Sequence, residues 1–139
     1  MIYGTASGAR SVSDGFIRVS LGRGQYASVA PGVESGRQVA WVLVADFPLV
    51  HNAARLEGGP SVPRRKVLVA IGDFLPIGAA AGWPRISRIA LPIAPPGRRV
   101  SWNVRFAGRG LRLIVTFGGT PDAHMRAQAN RILATIRRL

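Results

Sequence analysis

The sequence predicts a two-layer α+β domain, in which a mainly antiparallel sheet of about six to seven strands packs against one C-terminal amphipathic helix. Short apolar runs separated by Gly and Pro indicate the strands, and one segment with helical periodicity at the end indicates the helix. The 139 residues suffice for one domain with its own core. We expect a single domain over residues 15–139, preceded by a flexible segment over residues 1–14 that is rich in Gly and Ser.

The first half of the chain is expected to form four strands, over residues 16–21, 26–30, 39–47 and 67–71. The first alternates apolar and polar side chains, and the second should end at Pro31-Gly32. The third is apolar on both faces until Asp46, so it should be central and covered on both sides. A long irregular stretch over residues 48–66, with one helical turn possible at residues 51–56, leads to the fourth.

Three more strands are expected, over residues 86–93, 100–106 and 111–117. The last two have matching alternation, with Trp102 on the apolar face, and their connector Ala107–Gly110 supplies glycines for positive φ. This pattern predicts a β-hairpin.

A C-terminal helix is indicated by three consecutive start signals. Thr120 is the expected N-cap, Pro121 the first helical residue and Asp122 an acid in the first turn. The helix should continue to about Arg138. Its apolar stripe should pack on the hairpin, and consists of Met125, Ala129, Ile132, Leu133 and Ile136.

The charge balance is strongly basic. Nineteen basic side chains, eighteen of them Arg, oppose six acids and give a net charge of +13. This favours an anionic partner, which could be an acidic protein, nucleic acid or an acidic membrane surface. GC-rich codon usage would account for Arg in place of Lys, but it does not account for the scarcity of acids.

Two groups of basic residues are candidates for contact with an anion. One is the loop Arg64-Arg65-Lys66, and the other lies on or near the polar faces of strands, beginning with Arg18. The alternative is a solvated loop and a solvated sheet face. The candidate set is Arg64, Arg65, Lys66, Arg88, Arg98, Arg99, Arg105, Arg109 and Arg112.

Aromatic residues on these strands disfavour a platform for stacking nucleic-acid bases. Trp102, Phe106 and Phe117 should point to the face opposite the arginines, whereas single-strand binders place aromatics among their basic residues. Contact with a phosphate backbone or an acidic surface stays open.

Few residues could support catalysis or hold a cofactor or metal. The six acids are scattered singly, His51 and His124 have no metal-ligand spacing, and there is no Cys. The G-x-G-x-x-A match at residues 22–27 is followed by Pro31-Gly32 rather than by a helix, so it indicates a turn and not a dinucleotide site. We expect no enzyme activity, no cofactor and no metal.

The sequence gives weak indications of compartment. No apolar segment reaches the roughly 18 residues that a membrane span needs, and residues 1–13 lack the basic and apolar regions of a signal peptide. A cytoplasmic location is the default expectation, and a processed extracellular form stays open. Nothing indicates the oligomeric state.

The order of elements resembles that of a known group of small domains. The segments GFIRVSLGRGQYASVAPGV, VADFPL and VLVAIGDFLP, together with the closing hairpin and helix, resemble small actinobacterial α+β domains, and the order is similar to the PsbP/Mog1-like arrangement. This resemblance covers most of residues 15–139 and implies the fold and a non-enzymatic binding role. The leading expectation is thus a binding module with a basic surface; the alternatives are a nucleic-acid-binding protein that contacts phosphates through Arg, and a small enzyme.

Overall fold

The computed structural model describes residues 11–34, 37–49, 62–74, 82–92 and 97–139. It confirms an α+β fold with antiparallel sheets and one C-terminal helix. The elements are β1 (Ser11–Ser13), β2 (Ile17–Ser20), β3 (Tyr26–Glu34), β4 (Arg37–Ala45), β5 (Val67–Phe74), β6 (Arg85–Ile86), β7 (Arg99–Phe106), β8 (Arg109–Phe117), α1 (Ala123–Ala134) and β9 (Arg137–Arg138).

The strands form two sheets rather than one. The main sheet has six strands in the order β3-β4-β5-β8-β7-β6, and all its pairs are antiparallel except β6 with β7. A small sheet has the order β1-β2-β9. The strand predicted at residues 16–21 therefore belongs to a different sheet from the hairpin.

The predicted hairpin is confirmed as β7 and β8. Their register pairs Phe106 with Arg109, so only Ala107 and Gly108 form the turn. Both have positive φ, at 50° and 82°, as a two-residue hairpin turn requires. Ala107 thus occupies a position that Gly or Asn usually fills, while Gly110 lies inside β8.

The main core lies between the helix and one face of the main sheet. Met125, Ala129, Ile132 and Leu133 are buried there as predicted, and Val115 and Trp102 belong to the same cluster. Because a helix is stabilised mainly by burial of its apolar stripe, this contact fixes α1 on the sheet.

A second apolar cluster lies on the opposite face of the main sheet. Trp41, Leu43 and Ala45 of β4 belong to it, whereas Val42 and Val44 belong to the main core. The prediction that this strand is buried on both faces is confirmed.

The structure corrects two strand boundaries. β3 continues through Pro31 and Gly32 to Glu34 instead of ending at Pro31. The reason is its position at the edge of the main sheet, where a proline can be accommodated because one side of the strand needs no donors. The strand predicted over residues 86–93 is reduced to β6, and Leu91 instead donates its backbone N–H to Asn130 Oδ1 on the helix at 2.8 Å.

The ends of the described chain also differ from the prediction. Asp122, not Thr120, is the N-cap, and its side chain accepts a hydrogen bond from the Met125 N–H. The helix ends at Ala134, and the two arginines predicted in its last turn form β9 beside β2. Ser11–Ser13, which the sequence placed in a flexible segment, form β1, while residues 1–10 lie outside the described residues.

The helical turn predicted at residues 51–56 falls outside the described residues. Within the described ranges, no helix has both the length and the apolar character needed to cross a membrane.

Candidate anion-binding cleft

The loop that enters β5 forms a tight turn with an arginine in an unusual conformation. The Lys66 N–H donates to the Pro63 carbonyl at 3.0 Å, which closes the turn. Arg65 has a φ of 66°, whereas Arg64 does not have positive φ. This is the pattern of a type II turn, whose third position favours Gly or Asn. The arginine at this position is therefore held in a conformation that costs about 1 kcal/mol.

This turn is joined to the segment between β8 and α1. The Arg65 N–H donates to the Gly118 carbonyl, and the Gly118 N–H donates to the Lys66 carbonyl, both at 2.8 Å. A Cβ at Gly118 would overlap the carbonyl oxygen of Pro63. Glycine at this position permits the close approach of the two segments.

A third segment adds Arg98. The Phe117 N–H donates to the Arg98 carbonyl at 2.6 Å, which extends the β7–β8 pairing by one residue. The backbone of this arginine is thereby held beside the start of the Gly118–Thr120 segment.

Together these segments enclose a cavity of about 600 Å³. We call it the basic cleft and define it by Arg64, Arg65, Arg98 and Gly118–Thr120; Val62, Asp122 and Met125 complete its lining. Three arginines thus line one cavity, although they are up to 34 positions apart in the chain.

One acid lies in the basic cleft and is already engaged. Asp122 Oδ1 accepts from the Met125 N–H at 2.8 Å, and Oδ2 contacts Arg65 Nη2 at 3.3 Å. The hydrogen bond from Met125 lowers the pKa of Asp122 below 3.8, and the charges of Arg65 and His124 act in the same direction. The Arg65 and Asp122 side chains are 68% and 45% exposed, so their ion pair is weak and can exchange for another anion.

The remaining candidate basic residues do not line this cavity. Lys66, Arg88 and Arg99 are exposed. Arg105 Nε donates to the Trp83 carbonyl at 2.9 Å, and Arg112 Nε donates to Asn103 Oδ1 at 3.0 Å.

A second cavity, of about 820 Å³, lies at the β6 edge of the main sheet and includes Arg105. Apart from Arg85 and Arg105 its lining residues are uncharged: Ile86, Ser87, Phe106, Ala107 and Gly108. Of the arginines predicted on polar strand faces, Arg105 and Arg112 are therefore on the hairpin of the main sheet, whereas Arg18 lies in the small sheet.

Arg109 was placed among the surface candidates, and the structure corrects this. Its Nε contacts Asp73 Oδ1 at 2.8 Å, and the two side chains are only 12% and 1% exposed. Residues at odd positions of β8 face the main core, and Arg109 shares that parity with Leu111 and Leu113. It is thus an internal partner of an acid rather than a surface contact for an anion.

The acids are not all scattered, which is a second correction. Asp14, in the turn between β1 and β2, is a neighbour of Asp73 on β5, because its partner Phe16 packs on the Arg109 guanidinium that pairs with Asp73. The alternation of β5 carries a signal for this burial. Val67, Val69 and Ile71 face the main core, and Asp73 is the next residue on the same face of the strand.

Every acid whose side chain the structure describes is engaged within the chain. Asp14 accepts from the Phe16 and Ile17 N–H groups, and Asp46 accepts from the Val67 N–H at 2.9 Å. Asp73 and Asp122 have the partners given above. In this part of the chain, Arg64 and Arg98 have no acidic partner.

Histidines and metal ligands are also separated. His124 is exposed at the start of the helix, and His51 lies outside the described residues. Among the residues that can be placed, no three His, Cys, Asp or Glu side chains lie close enough together to hold a metal ion.

Comparisons of the chain with family models, curated proteins and solved structures find no match.

Proposed function

We propose that this protein is a non-enzymatic binding module that holds an anionic group of its partner in the basic cleft. The observation that carries the proposal is the convergence of Arg64, Arg65 and Arg98 on one cavity; Asp122, the acid among its described lining residues, already has partners. Guanidinium groups suit carboxylates and phosphates because they offer paired, planar donors.

The backbone around the basic cleft supports a role beyond packing. Arg65 has positive φ where glycine would fit without strain, and two hydrogen bonds to Gly118 hold it there. Residues kept in unfavourable conformations are concentrated at functional sites. Arg64 and Arg98 are exposed, so an incoming anion would meet them without first displacing an acid.

An acidic protein surface is the partner we favour. The alternative is nucleic acid, bound through its phosphates. Trp102 packs against the main core, and Phe106 and Phe117 are buried in it, so these aromatics supply no surface on which bases could stack. The likeness to PsbP/Mog1-like domains, which implies a binding role, remains part of this proposal.

The test is equilibrium binding at low salt to a polyglutamate peptide, to inorganic phosphate and to a short single-stranded DNA. The variant is Arg64→Ala/Arg98→Ala. Its control, Arg23→Ala/Arg131→Ala, removes the same charge from exposed positions outside the basic cleft. Loss of two charge-assisted contacts should weaken binding at least about tenfold in the first variant and much less in the control.

The outcomes separate the alternatives. Equal weakening in the two variants would mean that only the net charge matters and would contradict the basic cleft as the site. Tight binding to DNA alone, with affinity falling steeply as salt rises, would favour the nucleic-acid alternative. Absence of binding to all three probes would reject both binding proposals.

A further inference from the structure

We infer that Asp14 and Asp73 share one proton and form, with Arg109, a neutral clasp that fastens the β1–β2 turn to the main sheet at acidic pH and loosens as the pH rises. We call these three residues the carboxyl clasp. It is separate from the basic cleft and does not depend on the proposed function.

The first argument is the burial of Asp73. This residue is 3% exposed, and Oδ1 has the Arg109 guanidinium as its partner. Oδ2 is buried and accepts no hydrogen bond from the described residues. A buried carboxylate oxygen without a donor is costly, so a donor is expected at this position.

The second argument is that Asp14, like Asp73, has one buried carboxyl oxygen without a hydrogen-bond donor among the described residues. Oδ1 accepts from Phe16 N–H at 2.9 Å and from Ile17 N–H at 3.0 Å. Oδ2 is buried without a donor from the described chain. The Phe16 ring lies against the Arg109 guanidinium that pairs with Asp73, and the Phe16 N–H donates to Asp14, so the two carboxyl groups are neighbours. Two ionised carboxylates can only accept, so a contact between them becomes a hydrogen bond when one carries a proton.

The third argument is charge. Two carboxylates and one guanidinium sum to one negative charge, and one shared proton makes the group neutral. The charged groups that act on Asp73 are Asp14 from the β1–β2 turn and Arg109 from β8. The Phe16 ring covers the guanidinium at 3.8 Å, and Arg138 of β9 donates to the Ala107 carbonyl instead.

The titration of Asp73 agrees with this geometry. Burial raises its pKa from 3.8 to about 7, the contact with Asp14 adds to the rise, and Arg109 opposes it. Because the folded state holds its proton more tightly than the unfolded state, this group stabilises the fold fully below pH 4. The stabilisation decreases as the pH rises, and it is lost above about pH 7.

Loosening of the carboxyl clasp would affect the β1–β2 turn and the small sheet. The Asp14 side chain orders the backbone of Phe16 and Ile17, and Ile17 begins β2, which pairs with β9. An extra buried negative charge above neutral pH therefore acts on the small sheet through Asp14 and the start of β2. The clasp thus makes attachment of the small sheet dependent on pH.

The direct test is a ¹³C NMR titration of the aspartate side-chain carboxyl carbons in the full chain. We expect the Asp73 carboxyl to titrate well above pH 5. Titration of Asp73 only near pH 4 would overturn the proposal, and this measurement needs no variant.

Two substitutions mimic the shared proton permanently. In Asp14→Asn or Asp73→Asn, an amide N–H can donate to the remaining carboxylate, which still has Arg109 to balance its charge. The folding constant of the wild type should fall up to tenfold per pH unit between pH 5 and 7. This slope should disappear in Asp73→Asn and become shallower in Asp14→Asn, where burial still acts on Asp73. The double variant, which leaves Arg109 without an anion, should be less stable than either.

Asp46→Asn is the matched control. Asp46 accepts a hydrogen bond from the N–H of Val67, the first residue of β5. Asp73 lies near the other end of the same strand, so the two acids are roughly 20 Å apart. This variant should keep the wild-type pH slope. Retention of that slope in Asp14→Asn and Asp73→Asn as well would contradict the clasp. Hydrogen exchange adds a local readout: the Phe16 and Ile17 amides should lose protection from pH 5 to pH 8 in the wild type but not in Asp73→Asn.

Discussion

The indole ring of Trp41 covers Gly72 on the neighbouring strand, and the two residues are paired directly across β4 and β5. A Cβ at Gly72 would lie 2.7 Å from the ring, closer than packed side chains come. The ring therefore occupies the space that any side chain at this position would need, and the second apolar cluster is built around this contact.

Gly72→Ala should destabilise the protein by about 1–3 kcal/mol, because the ring or the strand has to move to admit the methyl group. Chemical denaturation measures the free energy of unfolding. Gly82→Ala is the control, since a Cβ there meets nothing within 4 Å. Equal stability of the two variants would show that the ring can move freely.

Arg65→Gly should separate stability from binding. Relief of the positive φ should raise the free energy of unfolding by about 1 kcal/mol or less, because the greater freedom of glycine in the unfolded state offsets part of the gain. The same change removes a guanidinium from the basic cleft and should weaken anion binding. Thermal denaturation and the polyglutamate binding assay test the two effects on one sample. Tighter binding would contradict the assignment of Arg65 to the site.

Arg109→Met should be one of the more damaging substitutions in the chain. It leaves buried carboxyl groups without a cation, and breaking a buried pair costs about 3–5 kcal/mol. The loss should be smaller at pH 5 than at pH 8, since the Asp73 carboxyl can then take up a proton. Chemical denaturation at the two pH values measures this loss of stability. The control is Arg131→Met, which changes an arginine at an exposed helix position. A loss independent of pH would indicate a packing effect alone.

Asp122 and Asp73 should respond to acid in opposite ways. The pKa of Asp122 is lowered, so its contribution is present above pH 4 and is lost as the pH falls through its folded value. Asp122→Asn should therefore flatten the decline of stability below pH 4 and leave the slope between pH 5 and 7 unchanged. Denaturation curves across this range test it. A changed slope near pH 6 would mean that Asp122 is coupled to the carboxyl clasp.

Much of the fold follows from local patterns. The apolar alternation of β7 and β8 and the stripe from Met125 to Leu133 predict the hairpin, the helix and their shared core. Strand ends were less predictable, because they depend on sheet position. A proline usually ends a central strand, but Pro31 is accommodated in β3 because β3 is at an edge of the main sheet. The alternation of apolar and polar residues does not reveal the order of strands in a sheet.

The site was only partly predictable for the same reason. The basic loop is visible in the sequence, but its contact with Gly118 depends on β5 pairing with β8. To predict the carboxyl clasp, the alternation of inward and outward positions has to be followed beyond the apolar residues of β5 and β8. Asp73 and Arg109 both fall on inward positions of paired strands, and an inward acid beside an inward arginine predicts a buried pair.

The engagement of every described acid in an internal hydrogen bond affects how the protein behaves in solution. Its many exposed arginines repel one another, and the carboxylates whose side chains the structure describes are already engaged in internal contacts. Counterions in the medium therefore contribute to neutralising these arginines. Added salt should therefore strengthen the fold by screening this repulsion, and the ionic strength becomes a determinant of its stability.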